Sequence, residues 1–293
     1  MNRKFFILPI AIIALISLAC SININLPDIQ NKTGPTVTDD ISVPLLKDST
    51  VVADVNLNFG VGNLTLKSGA TSELISGTAK YNVTDLKPTV MIDNDNITIE
   101  QGNLKLNGIP IINSNIINDW DLSLGNSPMS LYIKAGAYTG NYELGGLSIH
   151  RLEITDGAAK VQLNFSKPNQ VEMTALKYMT GASEVSLRGL GNANADEITF
   201  NGGAGNYTLD FSGELSRDVT VSIDAGVSSV TVIVPTGVPA ELSTNSTLIT
   251  VSSSGGWEHI GNTYQLSGSG YKITIQARMG AGTLQLQTNN SGK

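Results

Sequence analysis

From Val51 onward the chain alternates apolar and polar residues in short runs. Val55, Leu57 and Phe59 share one face, and Leu64 and Leu66 follow. The same period returns at Ile97-Thr98-Ile99, Leu104-Lys105-Leu106, 219–223 and Ile273-Thr274-Ile275. Alternation with a period of two, bounded by Gly, Asn and Asp, predicts half-buried strands. Asp93-Asn94-Asp95-Asn96 lies between two such runs and predicts a hairpin-like turn. Only 71–76 and 113–119 leave room for a short helix, so the predicted fold class is all-β.

A repeat organises these strands. Gly136-Ala137, Gly157-Ala158, Gly181-Ala182, Gly203-Ala204 and Gly226-Val227 each have apolar residues five and three positions before the glycine. Those pairs are Leu131/Ile133, Leu152/Ile154, Leu176/Tyr178, Ile198/Phe200 and Val221/Ile223. Apolar residues return four and six positions after it, as Val161/Leu163, Val185/Leu187, Tyr207/Leu209 and Val230/Val232, while the first copy carries Gly140 and Tyr142. The glycines stand 21, 24, 22 and 23 residues apart, and Gly60 and Gly280 head outlying copies. Each unit reads as strand, glycine corner, strand and variable return. One unit cannot bury its apolar face alone, but stacked units share a core, which predicts a β-solenoid with coils of about 21–24 residues. The glycine is expected to supply positive φ or close approach to the next coil. The Ala or Val after it is expected inside the corner. A β-sandwich with strands at similar intervals is the alternative.

The N-terminus sets the compartment. Arg3 and Lys4 precede an apolar run over 5–19, which is too short for the ~20 residues of a transmembrane helix. Ala19-Cys20-Ser21 follows, so 1–20 reads as an export signal. Cys20, the only cysteine, stands where a bacterial lipoprotein is acylated, although Ser17 and Leu18 depart from the usual residues before it. Over 21–48, Pro27, Pro35 and Pro44 lie among Asn, Thr and Asp, and the segment reads as a tether. The organisation is then signal peptide 1–20, tether 21–48, an N-terminal β portion 49–120 and a repetitive solenoid 121–290.

Loss of Arg3 and Lys4 leaves 18 − 2 = 16 basic residues against 25 acidic ones, a net charge near −9. That balance argues against nucleic acid or an anionic membrane surface as an electrostatic partner. With no cysteine in the mature body, folding rests on packing and hydrogen bonds.

Candidate chemistry is sparse. His150 and His259 are the only histidines, no Gly-x-Ser-x-Gly elbow occurs, and zinc would lack ligands. Gly60-Val61-Gly62, Gly203-Ala204-Gly205 and Gly280-Ala281-Gly282 lack the third glycine and the helix of a dinucleotide site. No cofactor is expected. One position before each corner glycine stand Ala135, Asp156, Thr180, Gly202 and Ala225, which form no acidic ladder. Three positions after it, Lys160 and Glu184 fall on adjacent coils and can pair. Five positions after it, Asn141, Gln162, Ser186, Thr208 and Thr231 should point outward as an uncharged row of amides and hydroxyls, the one surface feature to connect with binding.

Asn118-Asp119-Trp120-Asp121-Leu122-Ser123-Leu124, Pro128, Gly136-Ala137, Leu144-Gly145-Gly146-Leu147, Gly157-Ala158 and Pro168-Asn169 together resemble the toast-rack family of bacterial envelope proteins. Gly60-Val61-Gly62-Asn63-Leu64, Tyr81-Asn82 and Lys87-Pro88 are similar to its N-terminal portion. The run 232–239, Gly255-Gly256-Trp257 and Met279-Gly280-Ala281-Gly282 resemble the end of its LiaF-type relatives, and the family is also related to adhesin-like domains. The resemblance implies a right-handed β-helical rack and carries no catalytic residues. The expected function is a non-catalytic, lipid-anchored envelope module that contacts protein or glycan as a scaffold, an adhesin-like surface or a stress-linked partner. The alternative is a β-helical polysaccharide-active enzyme or a glycan-binding protein. Two carboxylates, or a basic residue with Asp, converging in one groove would favour the enzyme.

Overall fold

The computed structural model describes residues 33–102 and 116–289. The signal peptide, Cys20, tether residues 21–32 and the Leu104-Lys105-Leu106 run lie outside the described residues. In chain order the strands are β1 (Val37–Pro44), β2 (Ala53–Ala70), β3 (Glu73–Tyr81), β4 (Thr89–Asp93), β5 (Asn96–Glu100), β6 (Asn118–Gly125), β7 (Met129–Glu143) and β8 (Ile149–Asn164). They continue with β9 (Ala175–Arg188), β10 (Glu197–Asp210), β11 (Val219–Pro235), β12 (Ala240–Thr244), β13 (Ile249–Ser253), β14 (Glu258–Ile260), β15 (Thr263–Leu266) and β16 (Ile273–Asn289). Neither window left open for a helix forms one within the described residues: β3 starts at Glu73 and β6 at Asn118. Short 3-10 turns lie instead at Thr84–Leu86 and Leu190–Ala193.

The long strands β2, β7, β8, β9, β10, β11 and β16 lie side by side in that order, each parallel to the next. Leu131 stands beside Leu152, Leu152 beside Leu176, Leu176 beside Ile198, and Ile198 beside Val221. The repeat read from sequence is therefore a stack, a β-solenoid. Its paired apolar positions on both sides of the glycine are at most 2% exposed, from Leu131 to Val232, and one apolar cluster runs from Ile41 to Leu286. Tyr178 stacks on Phe200 at 5.7 Å, and Phe200 meets Tyr207 at 4.9 Å inside it.

At each corner the inward phase slips by one residue. In β11, Val219, Val221, Ile223 and Ala225 are buried, then Ser228, Val230, Val232 and Val234, while Val227 is 69% exposed. An alternating strand turns its wall this way, with the glycine and its follower both outside. The small residue expected inside the corner is thus outside: Ala158, Ala182 and Ala204 are exposed as well. The inside is filled by the residue before the glycine and the second residue after it. Asp156 and Thr180 therefore point inward from the position before the glycine, and Tyr138, Ser183 and Ser228 join them from the other side of the corner.

Close approach, not positive φ, is why the corner needs glycine. A Cβ on Gly181 would lie 2.4 Å from the Gly157 carbonyl oxygen, and one on Gly203 2.5 Å from that of Gly181. The row runs from Gly60 through Gly136 and Gly226 to Gly280.

Returns close the coils and stack in turn: Phe165 N–H donates to Arg188 O at 3.0 Å and Phe211 N–H to Ile233 O at 2.9 Å. Asn169, 3% exposed, both accepts from Ile149 N–H at 3.0 Å and donates to Ile149 O at 2.8 Å, which satisfies backbone that the sheet leaves unpaired. At one end β5 covers the first half of β2 and β6 the second, with β4, β3 and β1 antiparallel outside them. At the other end β12 and β13 cover the two halves of β16, and β15 and β14 extend β12. Trp257 is 7% exposed at this end, and its indole N–H reaches Gln287 O at 3.4 Å. Asn94, at φ 55°, turns the β4–β5 hairpin expected over 93–96.

β1 corrects the tether. Residues 37–44 pair with β3 and bury Ile41 and Val43 against the end of the stack. Two buried residues alternating with Asp40 and Ser42 are a short signal, and the flanking Pro35 and Pro44 obscure it in the sequence.

Candidate functional site

The outward row five positions after the glycine exists as an aligned feature. Asn141 pairs in register with Gln162, Gln162 with Ser186, Ser186 with Thr208, and Thr208 with Thr231. Asn141 and Gln162 are exposed, whereas Ser186, Thr208 and Thr231 are half-buried by their neighbours. Thr65 and Gln285 continue the row onto β2 and β16. Lys160 and Glu184 beside it pair at 3.3 Å, with both side chains well exposed. Such a pair contributes about 0–1 kcal/mol. A small hollow of about 390 Å³ lies between them, Gln162 and Arg188. Parallel pairing fixes the spacing of these groups, so the row is flat and pre-formed.

A larger, more open groove of about 820 Å³ follows the corner itself, and sequence reading missed it. It crosses β8, β9, β10, β11 and β16 and ends against Asn245, Ser246 and Thr247, where the last coil breaks between β12 and β13. Ser246 Oγ accepts from Met279 N–H at 2.7 Å and holds that break against β16. The outward residue two positions before each corner glycine lines the groove in register: Thr155, Met179, Asn201, Asp224 and Arg278. Arg278 grips Asp224 with two hydrogen bonds, Nε to Oδ1 at 2.6 Å and Nη2 to Oδ2 at 2.7 Å. The mixed residue types of this row carry no periodic signal, and the break in the last coil is invisible to a glycine-based alignment.

Asp156 lies in the wall of this groove, 7% exposed. It accepts from Tyr178 Oη at 2.6 Å, from Tyr138 Oη at 3.3 Å and from the Thr180 hydroxyl. Tyr142 Oη donates to Tyr138 at 3.0 Å, and Ser183 Oγ sits 2.5 Å from Thr180. Burial first, and then the Asp156 charge, push the Tyr178 phenol far above its ordinary value, so it stays a donor at any working pH. Burial likewise raises Tyr138 and Tyr142. A buried carboxylate is tolerated when its oxygens are satisfied in this way.

The groove holds Asp156, Asp224 and Arg278, the residue types that would mark an enzyme. They do not converge. Asp156 on β8 and Asp224 on β11 are three strand spacings apart, about 14 Å. Paired glycosidase carboxylates stand about 5–9.5 Å apart. Arg278 is committed to Asp224 and the Asp156 oxygens to hydroxyls. His150 lies near the start of β8 and His259 stacks on Tyr264 at 4.5 Å, and neither lines the groove. Among the described residues no helix is long and apolar enough to cross a membrane.

No curated protein matches the sequence. Among solved structures, a protein from Clostridium sporogenes described provisionally as a cell adhesion protein is 18% identical, with 87% of this chain and 100% of that chain covered and a TM-score of 0.48. A provisional adhesin from Bacteroides fragilis is 11% identical over 87% of this chain and 98% of its own, at a TM-score of 0.34. A Parabacteroides distasonis protein described provisionally as lipid binding is 10% identical over 86% and 97%, at 0.39. The family profile described as the N-terminal domain of toast_rack, DUF2154, matches residues 32–175 and again 168–233. The chain belongs to the toast-rack family.

Proposed function

We propose that the protein is exported and held at the cell envelope by lipid on Cys20, and that its solenoid is a non-catalytic, adhesin-like contact module for an envelope protein or glycan. The observation that carries this reading is the aligned, uncharged outer face formed by Asn141, Gln162, Ser186, Thr208 and Thr231. A flat array of neutral donors and acceptors on a rigid sheet suits a broad contact better than a reaction. The separation of Asp156 from Asp224 and the commitment of Arg278 weigh against the polysaccharide-active enzyme. Right-handed winding belongs to the same reading, because parallel β-crossovers are almost always right-handed. Residues 21–32 would then tether the body to the anchor.

Growth with an alkyne palmitate analogue tests the anchor: wild type takes up label and Cys20→Ala does not. Label on neither rejects lipidation. Capture of whole cells by immobilised protein tests the face. The double variant Gln162→Lys/Thr208→Lys should lose most of the capture, and unchanged capture rejects the row as the contact surface.

A further inference from the structure

We infer that the corner groove is a binding cleft for a neutral oligosaccharide. The inference rests on the contact-module reading and gives it a ligand class and a second location, distinct from the flat row. From β8 to β16 the groove spans four strand spacings, about 19 Å, and the Asn245–Thr247 ledge closes one end. It is therefore an elongated, one-sided trough, the shape of a chain ligand and not of a compact metabolite.

The lining selects the chemistry. Asn201 and Asn245 offer amides that both donate and accept, and Thr155 and Thr247 offer hydroxyls. A sugar presents neighbouring hydroxyls that need both kinds of partner. The Asp224–Arg278 pair presents a donor and an acceptor side by side with its charge cancelled. Met179, 38% exposed, supplies an apolar contact for the C–H face of a ring. Competing ligands fit less well. The groove's cation is already gripped by a carboxylate, which leaves it poorly disposed toward phosphate or sulfate. Strands β8 to β11 of the floor have a neighbour on each side and the Asn245–Thr247 ledge covers β16 there, so a peptide finds no open strand edge to extend. Behind the wall, Asp156 ties Tyr138, Tyr178 and Thr180 together, which holds the trough in shape before a ligand arrives.

Titration calorimetry and saturation-transfer NMR on the full-length chain in mild detergent test this, with maltotetraose, cellotetraose, mannotetraose and chitotetraose as probes and a sulfated chondroitin tetrasaccharide as the charged comparator. At least one neutral probe should bind wild type more tightly than the sulfated one. Asn201→Ala and Asn245→Ala should each weaken that binding about tenfold, the loss of one hydrogen bond. Thr155→Trp, which fills the trough from its rim, should abolish it. All three lie at exposed or half-exposed positions, and an unchanged unfolding midpoint shows that they fold. Binding that survives all three, a preference for the sulfated probe, or no neutral binding overturns the inference. Loss of binding in Gln162→Lys/Thr208→Lys but not in the groove variants places the ligand on the flat row, which sinks the groove and leaves the contact-module reading standing. Groove binding together with failed whole-cell capture by the row has the opposite meaning.

Discussion

A single methyl group is the finest probe of how closely the coils approach at the corner. On Gly181 it would sit 2.4 Å from a carbonyl oxygen, inside the contact limit, whereas on Gly157 it would meet one at 3.2 Å. Neither glycine has positive φ, so backbone strain does not blur the comparison. Gly181→Ala should cost about 1–3 kcal/mol by overpacking and Gly157→Ala clearly less. Urea midpoints check the order, and equal midpoints would mean that the corners are not in contact. The sequence shows that these glycines share a register, because a repeated residue at a repeated spacing needs no structure to be seen. Their neighbours are less legible. Alternation continued through the corner puts Ala158 and Val227 inside along with Asp156, and the one-residue phase slip after the glycine turns Ala158 and Val227 out while Asp156 stays buried. A lone Asp among unlike residues gives no pattern, so the hydroxyl cluster around it becomes visible only when Tyr138, Tyr178 and Thr180 are stacked beside it.

Among the elements, one return holds a carboxylate linked to pH. Glu143, at the end of β7, accepts from Gly145 N–H at 2.9 Å, Asn164 Nδ2 at 2.6 Å, and Ser166 N–H and Oγ at 3.1 and 2.8 Å. Burial alone would raise its pKa, but these hydrogen bonds outweigh burial and hold it below the ordinary glutamate value. The folded state then binds this proton less readily than the unfolded chain. Its stabilisation is fully present above the ordinary glutamate range and is lost as pH falls through the depressed value. Between neutrality and pH ~3, the wild-type unfolding midpoint should fall more steeply than that of Glu143→Gln, which cannot titrate. Parallel curves would show that Glu143 is not linked to folding. Long strands and the hairpin at 93–96 were readable from period and turn chemistry. β1 was not, because prolines on both sides outweighed two alternating residues, and neither was the break between β12 and β13 that walls the groove.

For the whole molecule, the choice in the sequence lay between a stack and a sandwich, and it turns on whether successive strands advance along one axis. Asn63, Thr139, Lys160, Glu184, Asn206, Ser229 and Thr283 form one row, three positions after the corner, on β2, β7, β8, β9, β10, β11 and β16. Most of them are exposed, so labels there disturb little. Alternation gives the all-β class and the charge balance gives the acidic character, but neither locates the groove, which exists only because unlike residues on five strands meet at one corner. The stack itself is tested most directly by pulsed EPR distances between spin labels at Asn63→Cys/Asn206→Cys and at Asn63→Cys/Thr283→Cys, each in a Cys20→Ser background. At roughly 4.8 Å per strand, the first pair should lie about 19 Å apart and the second about 29 Å. A second distance equal to or shorter than the first would mean that the late strands fold back across the early ones, and the solenoid would be wrong.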